Sequence, residues 1–497
     1  MRQPPPSIAH VLDRALAEGP DRDALVTRSR RLTYAALDAE ANRAAHALRA
    51  LGVRPGDRVA ASLPNDAAVV VAFHGAMRLG AVWLGINRAL APPEKRFQLD
   101  DTEASILLCD DELPDLGTRV VAAGEWQDAM AAAGDDPPPR DVDPDAPAGI
   151  AYTSGTTGRP KGALHSQRGL LAPGAVLVES RGYDGTLRKG DCFPFTILNM
   201  AVLTTLLVSQ AGGTAIVMDR IDAEGVAEWI RDERVTTWNG PPALLYSLAS
   251  MDSVAPADLA SLREVWTGGA DCPEAIRSAF EAKFGLPVLA TYGLTEAPTV
   301  VAIDPVGGPH VAGASGRPLP HLSVRAVDDD GRPLPPGESG EVCVASAPGD
   351  DRYRLMLGYW RRPDDTAKVL AGDVLHTGDI GFVDEAGYVH LRDRKSLVII
   401  RGGANVYPAE VERVLQEFDG ITASAVIGVG DERLGERVVA LVEASDASGP
   451  ALDLDAVREH CARQLAKYKV PERFVVVDAL PRNAMGKVAR TELPALL

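Results

Sequence analysis

From Thr33 onward the chain alternates two kinds of apolar run, and this alternation limits its fold more than any other feature. The segment TYAALDAEANRAAHALRALGV places Leu37, Ala41, Ala44, Leu48 and Leu51 at helical spacing, with Thr33 as N-cap and Gly52 as stop. A short apolar strand, DRVAASL, follows, and after it the helical run DAAVVVAFHGAMRLG. Strands alternating with helices in this way predict parallel sheets covered by helices on both faces, an α/β fold. At 497 residues the chain exceeds what one hydrophobic core fills, roughly 250 to 300 residues, so at least two domains are expected.

The pattern then changes. The run PPPRDVDPDAPAG, near Pro137 to Pro147, reads as a linker. Beyond about Val311 the short strands HLSVRAVD and GEVCVA, separated by DDDGRPLPPGESG, predict a smaller β-rich subdomain. After Arg394 the order becomes strand (LVIIR), helix (PAEVERVLQEF), two strands (ITASAVIGV, ERVVALVEA), helix (LDAVREHCARQLAKY) and strand (RFVVVDA). The expected organisation is a large N-terminal domain of helix-covered sheets with its β-rich subdomain, residues 1–394, and a small α+β domain, residues 395–497.

A net charge of −18 argues against a nucleic-acid partner, because neutralising phosphates over a broad face needs clustered Lys and Arg. Any anionic ligand must be held by a local site. The five cysteines are far apart and form no CxxC pair, which fits reduced thiols in a cytoplasmic protein. The N-terminal MRQPPPSIAHVLDRAL has prolines and charges where an export signal needs an apolar core. The most apolar stretch, Ala201 to Met218, is broken by Thr204, Thr205, Ser209 and Gln210; a buried helix followed by a strand is expected there, with no membrane span.

The loop AYTSGTTGRPKGA, Ala151 to Ala163, gathers hydroxyls and glycines ahead of Lys161. Glycines let the backbone aim N–H groups at an anion, hydroxyls add donors and the lysine adds charge, which together make a phosphate cradle. It is not a Walker loop, since Pro160 stands where that loop has glycine. A flexible polar turn is the plain alternative for such a loop read alone.

Further motifs follow in order: WTGGAD (Trp266 to Asp271), TYGLTEA (Thr291 to Ala297), GYW (Gly358 to Trp360), HTGDIG (His376 to Gly381), RDRKSLVIIRGGANVYPAEVE from Arg392, and PRNAMGKVAR (Pro481 to Arg490). With the loop they make the whole chain resemble the adenylate-forming enzymes, which include acyl-CoA synthetases, peptide-synthetase adenylation domains and firefly luciferase.

The resemblance implies that a carboxylic acid is activated with ATP and Mg2+ as an acyl-adenylate and passed to a thiol, that of coenzyme A or of a carrier protein. By similarity, Ser154, Gly155, Thr156, Thr157, Gly158 and Lys161 embrace the β- and γ-phosphates, with Thr153 in the same nucleotide-binding loop. Glu296 would hold Mg2+, and Thr295 would reach the α-phosphate. Gly269, Ala270 and Tyr292 would border the adenine, with Asp271 beside them, and Asp379 and Arg394 would take the ribose hydroxyls. Lys487 falls where the family carries the lysine that bridges the substrate carboxylate and the α-phosphate; read alone it would be a surface lysine. The small C-terminal domain of the family rotates between the half-reactions. Its hinge here falls at Ser396, and the surface brought to the thiol includes Gly402 and Gly403.

The sequence departs from the family in two places. The hinge carries Ser396 and Leu397 where acidic or lysine residues are common. In CFPFTILNMAVL, bordering the acyl pocket, Thr196 and Ile197 replace the frequent aromatic-His pair, and no Asp stands ready to pair with a substrate amine. A buried ammonium needs a counter-charge, so a free α-amino acid is disfavoured. Asn199, Met200, Trp238, Asn239 and Gly240 complete the candidate acyl pocket, with packing an equal reading of Met200 and Trp238; Asp271 admits a polar substituent on the acid. A regulator that binds nucleotide without catalysis is the alternative from another class, disfavoured by the retained Lys161, Glu296, Asp379, Arg394 and Lys487.

Overall fold

The structure is a computed structural model that describes residues 5–111, 117–153, 160–268, 272–308, 310–401, 404–431, 433–444, 452–483 and 486–497. Its contacts divide the chain into two compact units, one of Met1–Val324 with Val344–His376 and the other of Arg325–Cys343 with Thr377–Leu497.

In the first unit the helix that the sequence predicts runs over Tyr34–Ala50, and the Thr33 hydroxyl accepts from the Ala36 N–H at 3.2 Å. Its Leu37, Ala41, Ala44 and Leu48 are buried, as their spacing requires. The strand Arg58–Ser62 and the helix Ala67–Leu79 follow, the helix starting at an Asp66 cap. Among the described residues these elements feed a seven-stranded sheet, in which Ile106–Cys109, Arg58–Ser62, Val82–Gly85 and Pro147–Thr153 run parallel. Lys161–Ser166 and Gly358–Tyr359 close one edge antiparallel. A second sheet, nine-stranded among the described residues, has a parallel centre that includes Arg188–Asp191, Thr237–Asn239, Glu264–Gly268 and Val288–Leu294. Ala297–Ile303 returns antiparallel beside the last of these, and the short strand Arg317–Pro318 lies outermost.

The apolar stretch after Leu198 is the expected buried helix and strand, with one irregularity. Leu198–Met200 passes into a π-helical run, Ala201–Leu206, then Leu207–Ala211, and the strand Thr214–Val217 follows. The widened turns lie where Thr204 donates to Asp191 and the Thr205 hydroxyl meets His74 at 2.8 Å, so the buried polar groups are paired inside the core. No described helix is long and apolar enough to cross a membrane.

In the second unit Ile421–Asp431 and Gly435–Ala444 form the long hairpin of a sheet that also holds Ile399–Arg401, Ala404–Val406 and Arg473–Val477. Val438, Ala440 and Val442 point to one face, where they pack with Val411, Val414 and Leu415 of the helix Pro408–Gln416 and with Val457 and Cys461 of the helix Leu454–Gln464. Leu441 points to the other, against Leu480 and Leu493. The second helix ends at Gln464, short of the predicted Tyr468. Leu465 turns extended there, and Lys469 is held by Glu410 at 2.6 and 2.7 Å. Contacts group Thr377–Arg394 with the residues that follow, so compactness alone does not mark a boundary after Arg394.

Candidate functional site

The first unit brings several of the sequence-predicted residues to neighbouring strand ends. Thr153 and Lys161 are cross-strand partners, which fixes the two ends of the glycine-rich loop side by side. Ser154, Gly155, Thr156, Thr157 and Gly158 lie outside the described residues, as do Gly269, Ala270 and Asp271. Thr295 and Glu296 form the two-residue turn between Val288–Leu294 and Ala297–Ile303, the second of which is buried at every position. Tyr292 is buried on the incoming strand. A tight turn joining two such strands holds a carboxylate at the strand ends with little freedom.

Two residues outside the predicted set complete this arrangement. Tyr359 donates its hydroxyl to Glu296 Oε1 at 2.7 Å, and its ring centroid lies 5.4 Å from Lys161 Nζ. Asp365 takes Lys161 Nζ at 3.1 Å and lies below the usual carboxylate range, through Lys368 first and Lys161 second. The segment Gly358–Trp360 reaches them because Gly358–Tyr359 pairs with Leu164 and Ala163, and the Trp360 N–H donates to Gly162 O at 2.7 Å. The GYW motif was the sequence signal for Tyr359; Asp365 had none.

Among the described residues no cation pairs with Glu296. A half-buried carboxylate steadied at one oxygen by a phenol suits a hard cation that completes its shell with phosphate oxygens. By contrast, the acidic Cys109, Asp110 and Asp111 group is answered by Arg88, at 3.6 Å from Asp110 and 2.5 Å from Asp111.

The predicted acyl-pocket residues fall into two packing clusters of this unit. Met200 is buried with Phe195, Leu198 and Trp266. Trp238 is buried with Leu245 and Val265. Gly240 lies against the Trp238 indole so closely that a Cβ would come within 2.4 Å of the ring, which requires glycine there. Asn239 is half-buried beside it, in register with Trp266, and Asn199 is half-buried at the start of the π-containing helix. Thr196 is buried, and its carbonyl touches the backbone at Gly85. Asp191, the carboxylate closest in sequence, is fully buried and bonded to Lys189 Nζ at 2.9 Å.

The second unit gathers the other charged residues. Asp379 and Arg394 are cross-strand partners, and Arg394 Nε meets Asp379 Oδ1 at 2.7 Å. Gly378, at φ +71°, makes the bend that Asp379 follows. Asp379 is buried while Arg394 is exposed, and Arg394 Nη1 also donates to Thr377 O at 3.2 Å. Lys487 sits on a small turn: Asn483 N–H donates to Lys487 O at 2.8 Å, Lys487 N–H donates to Asn483 Oδ1 at 3.1 Å, and Arg482 bridges to Val488. Its pKa is lowered by partial desolvation and by Arg394, with Asp379 opposing. The side chain is exposed, and the three charges are close enough to sense one another. Ser396 is exposed in the short 3-10 helix Lys395–Leu397; Gly402 and Gly403 lie outside the described residues.

Comparison with known proteins agrees with these motifs. The chain is 37% identical over 495 residues to the fatty acid–[acyl-carrier-protein] ligase ScoC of Streptomyces coeruleorubidus, covering 95% of this chain and 93% of that protein. It is 38% identical over 472 residues to a feruloyl-CoA synthase of an Amycolatopsis species, covering 93% of each. The ATP-bound structure of MatB from Rhodopseudomonas palustris superposes with a TM-score of 0.89 at 31% identity over 98% of both chains. The family models for the AMP-binding enzyme and for its C-terminal domain match residues 12–360 and 410–487, and the chain therefore belongs to the AMP-binding enzyme family.

Proposed function

We propose that the protein is an AMP-forming acid:CoA ligase. In the first half-reaction a carboxylate oxygen attacks the α-phosphorus of ATP, the bond to the β-phosphate oxygen breaks, and pyrophosphate leaves. In the second, a thiol sulfur attacks the acyl carbonyl, the bond to the phosphate oxygen breaks, the thiol proton is lost, and AMP leaves. The observation that carries this reading is the linked set Lys161, Tyr359 and Glu296 in the first unit. It offers a cation and a carboxylate at the mouth of a loop whose composition suits phosphates.

In this reading two anions must meet, so positive charge has to stand where negative charge develops. Lys161 and the loop from Thr153 to Gly158 hold the β- and γ-phosphates. Mg2+ on Glu296 would supply further charge neutralisation to the phosphate oxygens. Thr295 donates to the α-phosphate; Gly269, Ala270, Asp271 and Tyr292 border the adenine; Asp379 and Arg394 take the ribose hydroxyls. Lys487 offsets the repulsion between the attacking carboxylate and the α-phosphate. The acid occupies a pocket bordered by Thr196, Asn199, Met200, Trp238, Asn239 and Gly240. Asp191 is already neutralised by Lys189, so among the described residues bordering that pocket no carboxylate is left to pair with an α-ammonium group, which favours acids without one.

The domains of this reading are residues 1–394 and 395–497. The second turns about Ser396 between half-reactions and then presents Gly402 and Gly403 to the thiol. A cytoplasmic location is supported by free cysteines, of which Cys109, Cys192, Cys343 and Cys461 are buried. The similarity to a carrier-protein ligase favours a second acceptor, the phosphopantetheine thiol of a carrier protein. Pyrophosphate release measured over a panel of aliphatic, aryl and functionalised acids tests the first half-reaction. Thioester formation with coenzyme A and with holo-carrier protein then identifies the acceptor. Failure of every acid to elicit pyrophosphate would overturn the proposal.

A further inference from the structure

The helix Pro408–Gln416 begins without a cap of its own. Pro408 has no N–H, so the Ala409 N–H is the first donor left over at this end, and Tyr407 supplies no side-chain acceptor. That donor is taken by Asp393, 16 residues earlier in the chain, whose Oδ2 accepts it at 2.7 Å. Asp393 Oδ1 accepts the Arg394 N–H, also at 2.7 Å. Both oxygens of one half-buried carboxylate are therefore engaged, one on each side of Ser396 in the sequence.

The same helix is tied to the segment that bears Lys487. Arg490 Nη2 grips both oxygens of Glu412, at 2.7 and 2.9 Å, and its Nη1 donates to Val426 O at 2.9 Å. The Val426 N–H returns a bond to Glu412 Oε1 at 2.7 Å. Burial raises the pKa of both Asp393 and Glu412, and the charge of Arg490 acts on each in the opposite sense. Asp393, the helix, Glu412 and Arg490 thus form one connected cluster, and it ends three residues beyond Lys487 in the sequence.

We infer that Asp393 is a positioning residue for acyl-adenylate formation: by capping the helix Pro408–Gln416 from across the hinge, it holds the Lys487 segment in its adenylating arrangement. This rests on the two-step reading above. Asp393 precedes Ser396, whereas Ala409, Glu412, Lys487 and Arg490 all follow it, so a turn at Ser396 has to break the Ala409 N–H bond to Asp393. The contact belongs to one half-reaction only. Arg394, next in the chain, pairs with Asp379 through its side chain and needs no such release within the strand pair.

The test separates the half-reactions in Asp393→Ala and Asp393→Asn, using an acid that the panel shows to be activated. Pyrophosphate release without thiol should fall about tenfold in Asp393→Ala, the scale of a lost bond to a charged acceptor. Thioester formation from supplied acyl-AMP and coenzyme A should stay at the wild-type rate or rise. Asn has one acceptor oxygen for two N–H donors, so Asp393→Asn should lose less than Asp393→Ala. Equal loss of both half-reactions with unchanged circular dichroism would make Asp393 merely structural and overturn the inference, as would no loss in either. Trypsin cleavage at the exposed Arg394 and Lys395 gives a readout independent of the acid: it should be faster in Asp393→Ala than in wild type. If no acid is activated, the proposed function fails while this cleavage rate still decides the latch, and an unchanged rate overturns it.

Discussion

The turn that carries Glu296 and the turn that carries Lys487 solve opposite problems. Glu296 stands between two strands of the large sheet, the outgoing one buried throughout, and Tyr359 fixes its orientation from a third strand. Lys487 stands on a turn closed chiefly by Asn483, and it is anchored beyond by the ionic grip of Arg490 on Glu412. Paired strands hold a group at their ends rigidly, because moving it disrupts many paired backbone groups at once. A small turn on an ionic anchor can be carried as a body. The difference suits the proposed chemistry, in which the groups assigned to the nucleotide stay fixed and the cation assigned to the attack is delivered and withdrawn.

The largest effect that would break this contrast is in Lys487→Ala. Acyl-adenylate formation should fall at least about a hundredfold, the scale seen when one preorganised charge facing a transition state is removed. Thioester formation from supplied acyl-AMP should be nearly unchanged, since the proposed turn at Ser396 withdraws the lysine in that step. Rapid-quench measurement of each half-reaction decides it. Equal loss in both, with the fold intact, would mean that Lys487 is as fixed as Glu296 and that the contrast is false.

A smaller effect sharpens the fixed side. Glu296→Gln keeps the shape and removes the charge, so the Mg2+ concentration needed for half-maximal adenylation should rise about tenfold or more. Tyr359→Phe leaves the charge and removes the hydroxyl that orients it, so the requirement should rise only a few-fold, near the scale of one hydrogen bond. Titration of adenylation with Mg2+ compares the two. If Tyr359→Phe matched Glu296→Gln, the phenol rather than the carboxylate would govern the metal.

Residues whose role depends on local pattern are legible in the amino-acid sequence itself. Thr33 caps its helix because a hydroxyl stands just before a helical apolar repeat, and the strand Gly435–Ala444 of the C-terminal unit falls on a continuous apolar run, Val438 to Val442, that is buried on both faces. The ordered motifs single out Lys161, Glu296, Asp379, Arg394 and Lys487 for the proposed site. Partners set by strand register are not legible in this way. Tyr359 reaches Glu296 across 63 residues only because Gly358–Tyr359 pairs with Ala163 and Leu164. Asp393 reaches Ala409 because the chain folds back after Ile399, and no spacing rule announces it. The acyl pocket is least legible, since Met200 and Trp238 belong to different packing clusters and packing explains both.

The smallest expected effect concerns acid, and it separates the two anchors by sign. In the first unit Glu264 receives Arg181 at 2.9 and 3.0 Å, along with the Tyr183 hydroxyl and Trp266 Nε1. Burial alone would raise its pKa, but these donors outweigh burial and hold it below the ordinary value of 4.5. Its contribution to stability is therefore present above 4.5 and lost as pH falls through the lower folded value. In the second unit burial prevails over Arg490, and Glu412 lies above 4.5. Ionised Glu412 is held at a cost, so its contribution is fully present below 4.5 and lost as pH rises through the higher folded value. Lowering the pH from neutrality toward 4.5 should leave the Glu264 network unaffected while Glu412 gains a proton and its own strain is relieved. Further acidification should weaken the first unit through Glu264. Hydrogen exchange of the Trp266 and Val426 amides, followed from pH 7 to pH 4 and corrected for intrinsic exchange, reads the two sites separately. Protection at Val426 should hold or increase down to about the ordinary glutamate value, and protection at Trp266 should decline only below it. A parallel decline at both amides would show that Glu412 and Glu264 are anchored alike. The ionic hold on the Lys487 segment would then be as firm as the strand pair that carries Glu296.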